Sequence, residues 1–156
     1  MEAPTGIVTF LFTDIEGSTA RWEADRVGME VELAKHDAVL RAAIEAQGGY
    51  LFKHTGDGMC AAFGSPGAAV DAAIRAQLGL ELPVRMGIAT GEATPRDGDY
   101  FGPVLNQAAR IMEAGHGGQI LLAAPGSESP RTAIPLLSSD GTRATTRSSL
   151  RRPAPR

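Results

Sequence analysis

Apolar residues along the first 125 positions fall into two regimes, short compact runs and longer stretches at helical spacing. Residues 7–13, Ile-Val-Thr-Phe-Leu-Phe-Thr, are rich in β-branched and aromatic types and too short for a helix, which predicts a buried central strand ending at Asp14. After Gly17-Ser18-Thr19, the residues Val31, Leu33, Val39, Leu40 and Ile44 recur near helical spacing until Gly48-Gly49, predicting one long helix. Residues 50–53 and 59–63 read as the two strands of a hairpin around His54-Thr55-Gly56-Asp57-Gly58. Ser65-Pro66 opens the next helix, with Ala68, Ala69, Val70, Ala73, Ile74 and Leu78 as its core face. Val84, Met86 and Ile88 alternate as in a strand, Thr94 to Gly98 reads as an exposed loop, residues 103–115 form a third helix ending at Gly115, and residues 119–122 form a fifth strand. The order β-α-β-β-α-β-α-β predicts an α+β, ferredoxin-like βαββαβ sandwich.

The periodicity fails after Pro125, where Ser, Thr, Pro, Gly and Arg dominate and Ile134, Leu136 and Leu137 are the compact apolar group. This divides the chain into a domain over 1–125 and a basic low-complexity tail over 126–156, expected to be disordered. Length and composition agree with one domain, since 156 residues at 43% hydrophobic and 21% charged can build a single sizeable core. The net charge of -3 conceals an asymmetry. The tail carries six Arg against Glu128 and Asp140, a net +4, which leaves -7 on residues 1–125. An acidic body with two lysines, Lys35 and Lys53, argues against specific nucleic-acid binding, which rewards dense basic charge. The lone Cys60 supports neither an internal disulfide nor a zinc site. The apolar run at 7–12 is far short of a membrane span of roughly 20 residues. With no positively charged leader before it, the expectation is a cytoplasmic protein without a membrane anchor.

Two carboxylates stand out. Asp14 closes the first strand and Asp57 sits in the hairpin, whose strand should lie beside the first in a βαββ unit. Paired oxygen ligands at a strand end suit Mg²⁺ or Mn²⁺, which leave positions for substrate phosphates. Taken singly, Asp57 also reads as a solvated turn residue and Asp14 as a helix cap. Asn106 and Arg110, four apart on a predicted helix, share a face on which an amide and a forked guanidinium can hold a phosphate or sugar. They also read as an ordinary helix surface. Lys53, four residues before Asp57, and Asp99, seven before Asn106, have surface explanations too.

Three separated segments change that weighing. FTDIEGST, FKHTGDG and GDYFGPVLNQAARI resemble the class III adenylate/guanylate cyclase catalytic domain of the actinobacterial type, over roughly residues 5–125. The resemblance implies that Asp14 and Asp57, with the backbone carbonyl of Ile15, bind two divalent ions, Mg²⁺ or Mn²⁺, per site. It matches Lys53 and Asp99 to the pair that reads the adenine edge, making ATP the substrate. It matches Asn106 to ribose orientation and Arg110 to charge neutralisation at the α-phosphate. Gly17, Ser18 and Thr19, at a helix start, would meet substrate phosphates; their other role is helix capping. The implied activity is an adenylate cyclase, a phosphorus-oxygen lyase of intracellular signal transduction. Its sites would be shared across a head-to-tail homodimer. Tyr100 and Phe101 read as dimer-surface, base-pocket or core groups, and His54, Cys60 and His116 as structural.

The resemblance lapses from Gly126, where the family continues into a further helix and strand pair bearing a basic phosphate-binding residue. The expectation is therefore a cyclase fold lacking its usual C-terminal elements. The alternative is a catalytically impaired module that binds nucleotide or pairs with another cyclase-like chain. Other phosphate chemistries fail on motif: the sequence has no Walker-type loop, Asp14-Ile15-Glu16 lacks a second Asp, and the hairpin is not GGDEF-like.

Overall fold

A computed structural model of the chain describes residues 2–123 and 130–133. In chain order the elements are β1 (Gly6–Ile15), α1 (Ser18–Ala24), α2 (Arg26–Ala46), β2 (Tyr50–His54), β3 (Met59–Phe63), α3 (Pro66–Gly79), β4 (Val84–Arg96), β5 (Asp99–Phe101), α4 (Pro103–Ala114), β6 (Ile120–Ala123) and β7 (Pro130–Ala133). The sheet runs β2-β3-β1-β4-β6-β7, with β5 paired to β4. Strands β1, β2, β3 and β4 pair antiparallel, whereas β6 is parallel to β4. The 2-3-1-4 arrangement of the first four strands is the ferredoxin-like sandwich expected from the element order.

Alternation along β1 divides the interior in two. Leu11 and Ile15 face a core built with Leu40 and Ile44 of α2, Ala69, Ala72, Ala73 and Ala76 of α3, and Met86 and Ile88 of β4. Val8 and Phe10 face the other side, where Ala89, Ala93, Tyr100, Val104 and Ala108 complete a second cluster under α4. Asp14 follows the even-numbered register of this second face and emerges at its end.

The structure corrects several expectations. The long first helix is two helices, because Asp25 leaves helical geometry (φ -155°, ψ 88°) and its carboxylate accepts a hydrogen bond from Gly28 N at 2.9 Å. Such a cap contributes about 1 kcal/mol to the start of α2. Val31 is 54% exposed, and His36 takes a buried place on α2 that the apolar pattern could not assign. Leu78 is likewise exposed, while alanines form the buried stripe of α3. The stretch 94–98 is not a loop: β4 continues to Arg96 and turns through Asp97 (φ +53°) and Gly98 (φ +78°) into β5. Two successive positive φ angles define a tight hairpin turn that Asp-Gly suits. Finally, β7 pairs with β6 at residues 130–133, inside the stretch read as disordered tail. The rest of that expectation, over 126–129 and 134–156, lies outside the described residues.

Candidate active site at the end of β1

Antiparallel pairing of β3 with β1 sets Thr13 opposite Met59, so the hairpin turn that carries Asp57 lies beside Asp14. Gly58 makes this approach possible: a Cβ there would stand 2.7 Å from the Thr13 carbonyl oxygen and 3.8 Å from the Asp14 Cβ. The Thr13 hydroxyl accepts from Met59 N at 3.2 Å, and Thr55 N donates to Gly58 O at 2.9 Å, fixing the turn. Asp57 Oδ2 accepts from the Ser18 hydroxyl at 2.8 Å, which ties the hairpin to the start of α1. Gly17 caps that helix in the left-handed conformation (φ +69°), and Thr19 is exposed. Ile15 buries its side chain in the core, 2% exposed, leaving its backbone as the part a ligand could meet.

Arg85 is the site residue that the sequence reading missed. It stands opposite Asp14 in the β1–β4 register and grips that carboxylate with two bonds, Nε to Oδ1 at 2.7 Å and a terminal nitrogen to Oδ2 at 2.5 Å. This forked pairing raises the Arg85 pKa above its usual value. The available signal was a lone arginine inside the otherwise uncharged run Val84 to Thr90.

The oxygen donors Asp14, Asp57 and the Ile15 backbone fit a hard divalent cation. No group of three or more His, Cys, Asp or Glu able to hold a metal occurs among the described residues. Mg²⁺ commonly uses one or two carboxylates and completes its shell with water and substrate phosphates, so two carboxylates at an open strand end match that habit.

A second pair lies along the same sheet face. Lys53 Nζ is 3.7 Å from Asp99 Oδ2, with both side chains partly exposed. An exposed ion pair contributes at most about 1 kcal/mol and cannot by itself hold β5 to β2. Aromatic packing does that: Tyr100 stacks edge-on against Phe52 at 4.9 Å and Phe10 at 5.1 Å, and donates its hydroxyl to Pro4 O. Tyr100 is thus core, whereas Phe101 is 57% exposed.

Cys60 pairs in register with Lys53 on one side and Phe12 on the other. Burial pushes its thiol up to about 11. At pH 8 its thiolate fraction should then be smaller than that of a free cysteine by about two orders of magnitude. Iodoacetamide should label Cys60 at least about a hundredfold more slowly than a free thiol, rising steeply toward pH 11. Labelling at the free-thiol rate would mean that the β2–β3 face opens in solution.

Asn106 and Arg110 occupy the exposed side of α4, while Val104, Ala108 and Ile111 face inward. Their side chains make no hydrogen bond or ion pair with another described residue. The structure therefore brings Asp14 together with Asp57's turn and Lys53 with Asp99, but leaves the Asn–Arg pair unengaged. No helix among the described residues is long and apolar enough to cross a membrane.

Comparisons with known proteins match this architecture. The family described as Adenylate and Guanylate cyclase catalytic domain matches residues 1–131. An uncharacterized protein of Mycobacterium tuberculosis is 37% identical over 125 residues, covering 78% of this chain and 44% of its own length. This chain thus spans less than half of that relative. The adenylate cyclase of Mycosarcoma maydis is 37% identical over 152 residues, covering 76% of this chain and 6% of that protein. Among solved structures, a Trypanosoma brucei adenylate cyclase in its monomeric state superposes with a TM-score of 0.72 at 30% identity, over 78% of this chain and 74% of that one.

Proposed function

We propose, from the premise that this chain belongs to the adenylate and guanylate cyclase catalytic domain family, that it converts ATP to 3′,5′-cyclic AMP and pyrophosphate at sites shared between two copies. The observation that carries ATP is the Lys53–Asp99 pair, 3.7 Å apart on the face that leads to Asp14. An ammonium donates to a ring-nitrogen acceptor and a carboxylate accepts from an exocyclic amine, the pattern of adenine's edge; guanine reverses it. The Asn–Arg pair supports sharing, since it has no protein partner among the described residues and faces away from the sheet that bears Asp14. A head-to-tail partner would supply it across the interface.

Asp14, Asp57 and the Ile15 carbonyl would hold Mg²⁺ or Mn²⁺. When bound, two such ions would supply a lowered pKa at the ribose 3′-hydroxyl and neutralisation of the triphosphate. Asn106 would orient the ribose so that its 3′-oxygen lies in line with the α-phosphorus, and Arg110 would meet the charge that develops there. Arg85, whose guanidinium fork fits a carboxylate or a phosphate, would stand beside Asp14 where it can also meet substrate phosphate oxygens. Gly17, Ser18 and Thr19 would border the same phosphates. A second reading, a nucleotide-binding or dimerisation module without turnover that pairs with another cyclase-like chain, draws support from the same Arg85, which occupies both oxygens of Asp14.

Product formation by the full chain with Mn²⁺ and either ATP or GTP separates these readings. Cyclic AMP is expected, with ATP preferred by about a hundredfold in kcat/KM, and Asp99→Ala should erase about tenfold of that preference. Equal use of GTP would overturn the base assignment. Nucleotide binding without product would favour the second reading.

A further inference from the structure

We propose that Glu16 is a positioning residue that fixes the metal-binding end of β1 by clamping it to the loop between α4 and β6. The inference rests on the metal reading of Asp14, Asp57 and Ile15. Glu16 directly follows the last residue of β1 and precedes Gly17, whose left-handed backbone starts a new direction. A strand end beside a glycine is a poor support for metal ligands unless something secures it.

Two hydrogen bonds secure it here, with one longer contact beside them. Glu16 N donates to Pro83 O at 2.9 Å, joining the end of β1 to the entry of β4. Gly117 N donates to Glu16 Oε2 at 2.5 Å, across 101 positions of sequence. His116 Nδ1 lies 3.6 Å from Glu16 Oε1. Their weights differ. The His116 side chain is 77% exposed, so its ion pair with Glu16 contributes little. A backbone N–H to carboxylate bond is charge-assisted and fixed to a rigid donor, so the Gly117 bond is the strongest of the side-chain contacts. Gly117 itself is required at its place, because a Cβ there would stand 2.3 Å from the Pro83 Cβ. Pro83, Gly117 and Glu16 therefore form one packed junction, with Gly118 N donating to Val84 O beside it.

The junction has a counterpart on the other side of Asp14. Arg85, which grips Asp14, also donates to the Glu113 carbonyl near the end of α4 at 3.4 Å. The metal end of β1 is thus referenced twice to the same end of the helix that carries Asn106 and Arg110. Partners that orient metal ligands without touching the metal commonly change affinity by about 10- to 100-fold when removed.

The test is Mn²⁺ binding to the full-length protein, read from the free-Mn²⁺ electron paramagnetic resonance signal, with Glu16→Ala, Glu16→Gln and Asp14→Asn. Glu16→Ala should bind Mn²⁺ about tenfold more weakly. Glu16→Gln, which keeps an oxygen acceptor for Gly117 N while losing the charge, should remain within about twofold of wild type. Without metal, Glu16→Ala should lose a few degrees of thermal midpoint and Glu16→Gln less, and both should remain folded, since the residue lies outside both cores. Unchanged Mn²⁺ affinity in Glu16→Ala overturns the clamp. So does an equal loss in Glu16→Gln, which would mean that charge alone is at work. A wild type that binds no more Mn²⁺ than Asp14→Asn overturns the metal reading itself, and the clamp falls with it.

Discussion

Asp14→Ala and Arg110→Ala are each expected to lower cyclase activity by about a thousandfold while leaving the protein folded, and an equimolar mixture of the two should regain activity that neither has alone. Under the shared-site reading, one site of a mixed dimer contains two damaged halves and the other contains none. Random assortment makes about half the dimers mixed, so the mixture should reach about a quarter of wild-type turnover. Folding is not expected to suffer in Arg110→Ala, because its side chain is exposed and unengaged among the described residues. Asp14→Ala is the more delicate variant, since it strands the partly buried Arg85 guanidinium. Thermal unfolding of each variant should accompany the assay. A mixture that forms mixed dimers yet stays inactive would refute sharing. Activity in Arg110→Ala alone would remove that residue from the machinery.

The sequence carried these residues with unequal clarity. Strand β1, the hairpin and α4 were legible because their apolar residues cluster or recur tightly, and because glycine and proline mark their ends. The α1–α2 break was hidden because its cause is one aspartate in non-helical geometry within a polar stretch, and Asp25 resembles any surface acid until its bond to Gly28 is seen. His36 and Val31 exchange the positions that hydropathy assigns them, since burial on α2 follows contact with α3 and the sheet rather than residue type. At the site, FTDIEGST and FKHTGDG named Asp14 and Asp57, yet Arg85 and Glu16 act through partners 71 and 101 positions away. Local spacing contains no term for such distances. Register supplies it, for once β4 lies antiparallel to β1, Arg85 must face Asp14.

Helix α4 should be unusually sensitive to one methyl group beneath it. Gly87→Ala is expected to destabilise the protein by about 1–3 kcal/mol, lowering the thermal midpoint by about 3–10 °C, and to cut turnover by about a hundredfold. A Cβ at Gly87 would stand 2.5 Å from Met112 N and 2.7 Å from Ala108 O, both backbone atoms of α4. Neither can rotate aside, so the helix itself must lift, and it carries Asn106 and Arg110. Gly91 provides a graded comparison: a Cβ there meets Val104 side-chain carbons at 3.1 and 3.2 Å, which can yield by a few tenths of an ångström. Gly67, in the first turn of α3, has nothing within 4 Å of an added Cβ, and Gly67→Ala should be neutral or slightly stabilising. Thermal unfolding should therefore rank the variants Gly87 worst, Gly91 intermediate and Gly67 harmless, with cyclic AMP formation in the same order. A Gly87→Ala protein as stable and as active as wild type would mean that α4 rides higher above β4 than these distances allow. Stability lost without a further fall in turnover would separate the seating of α4 from the placement of Arg110.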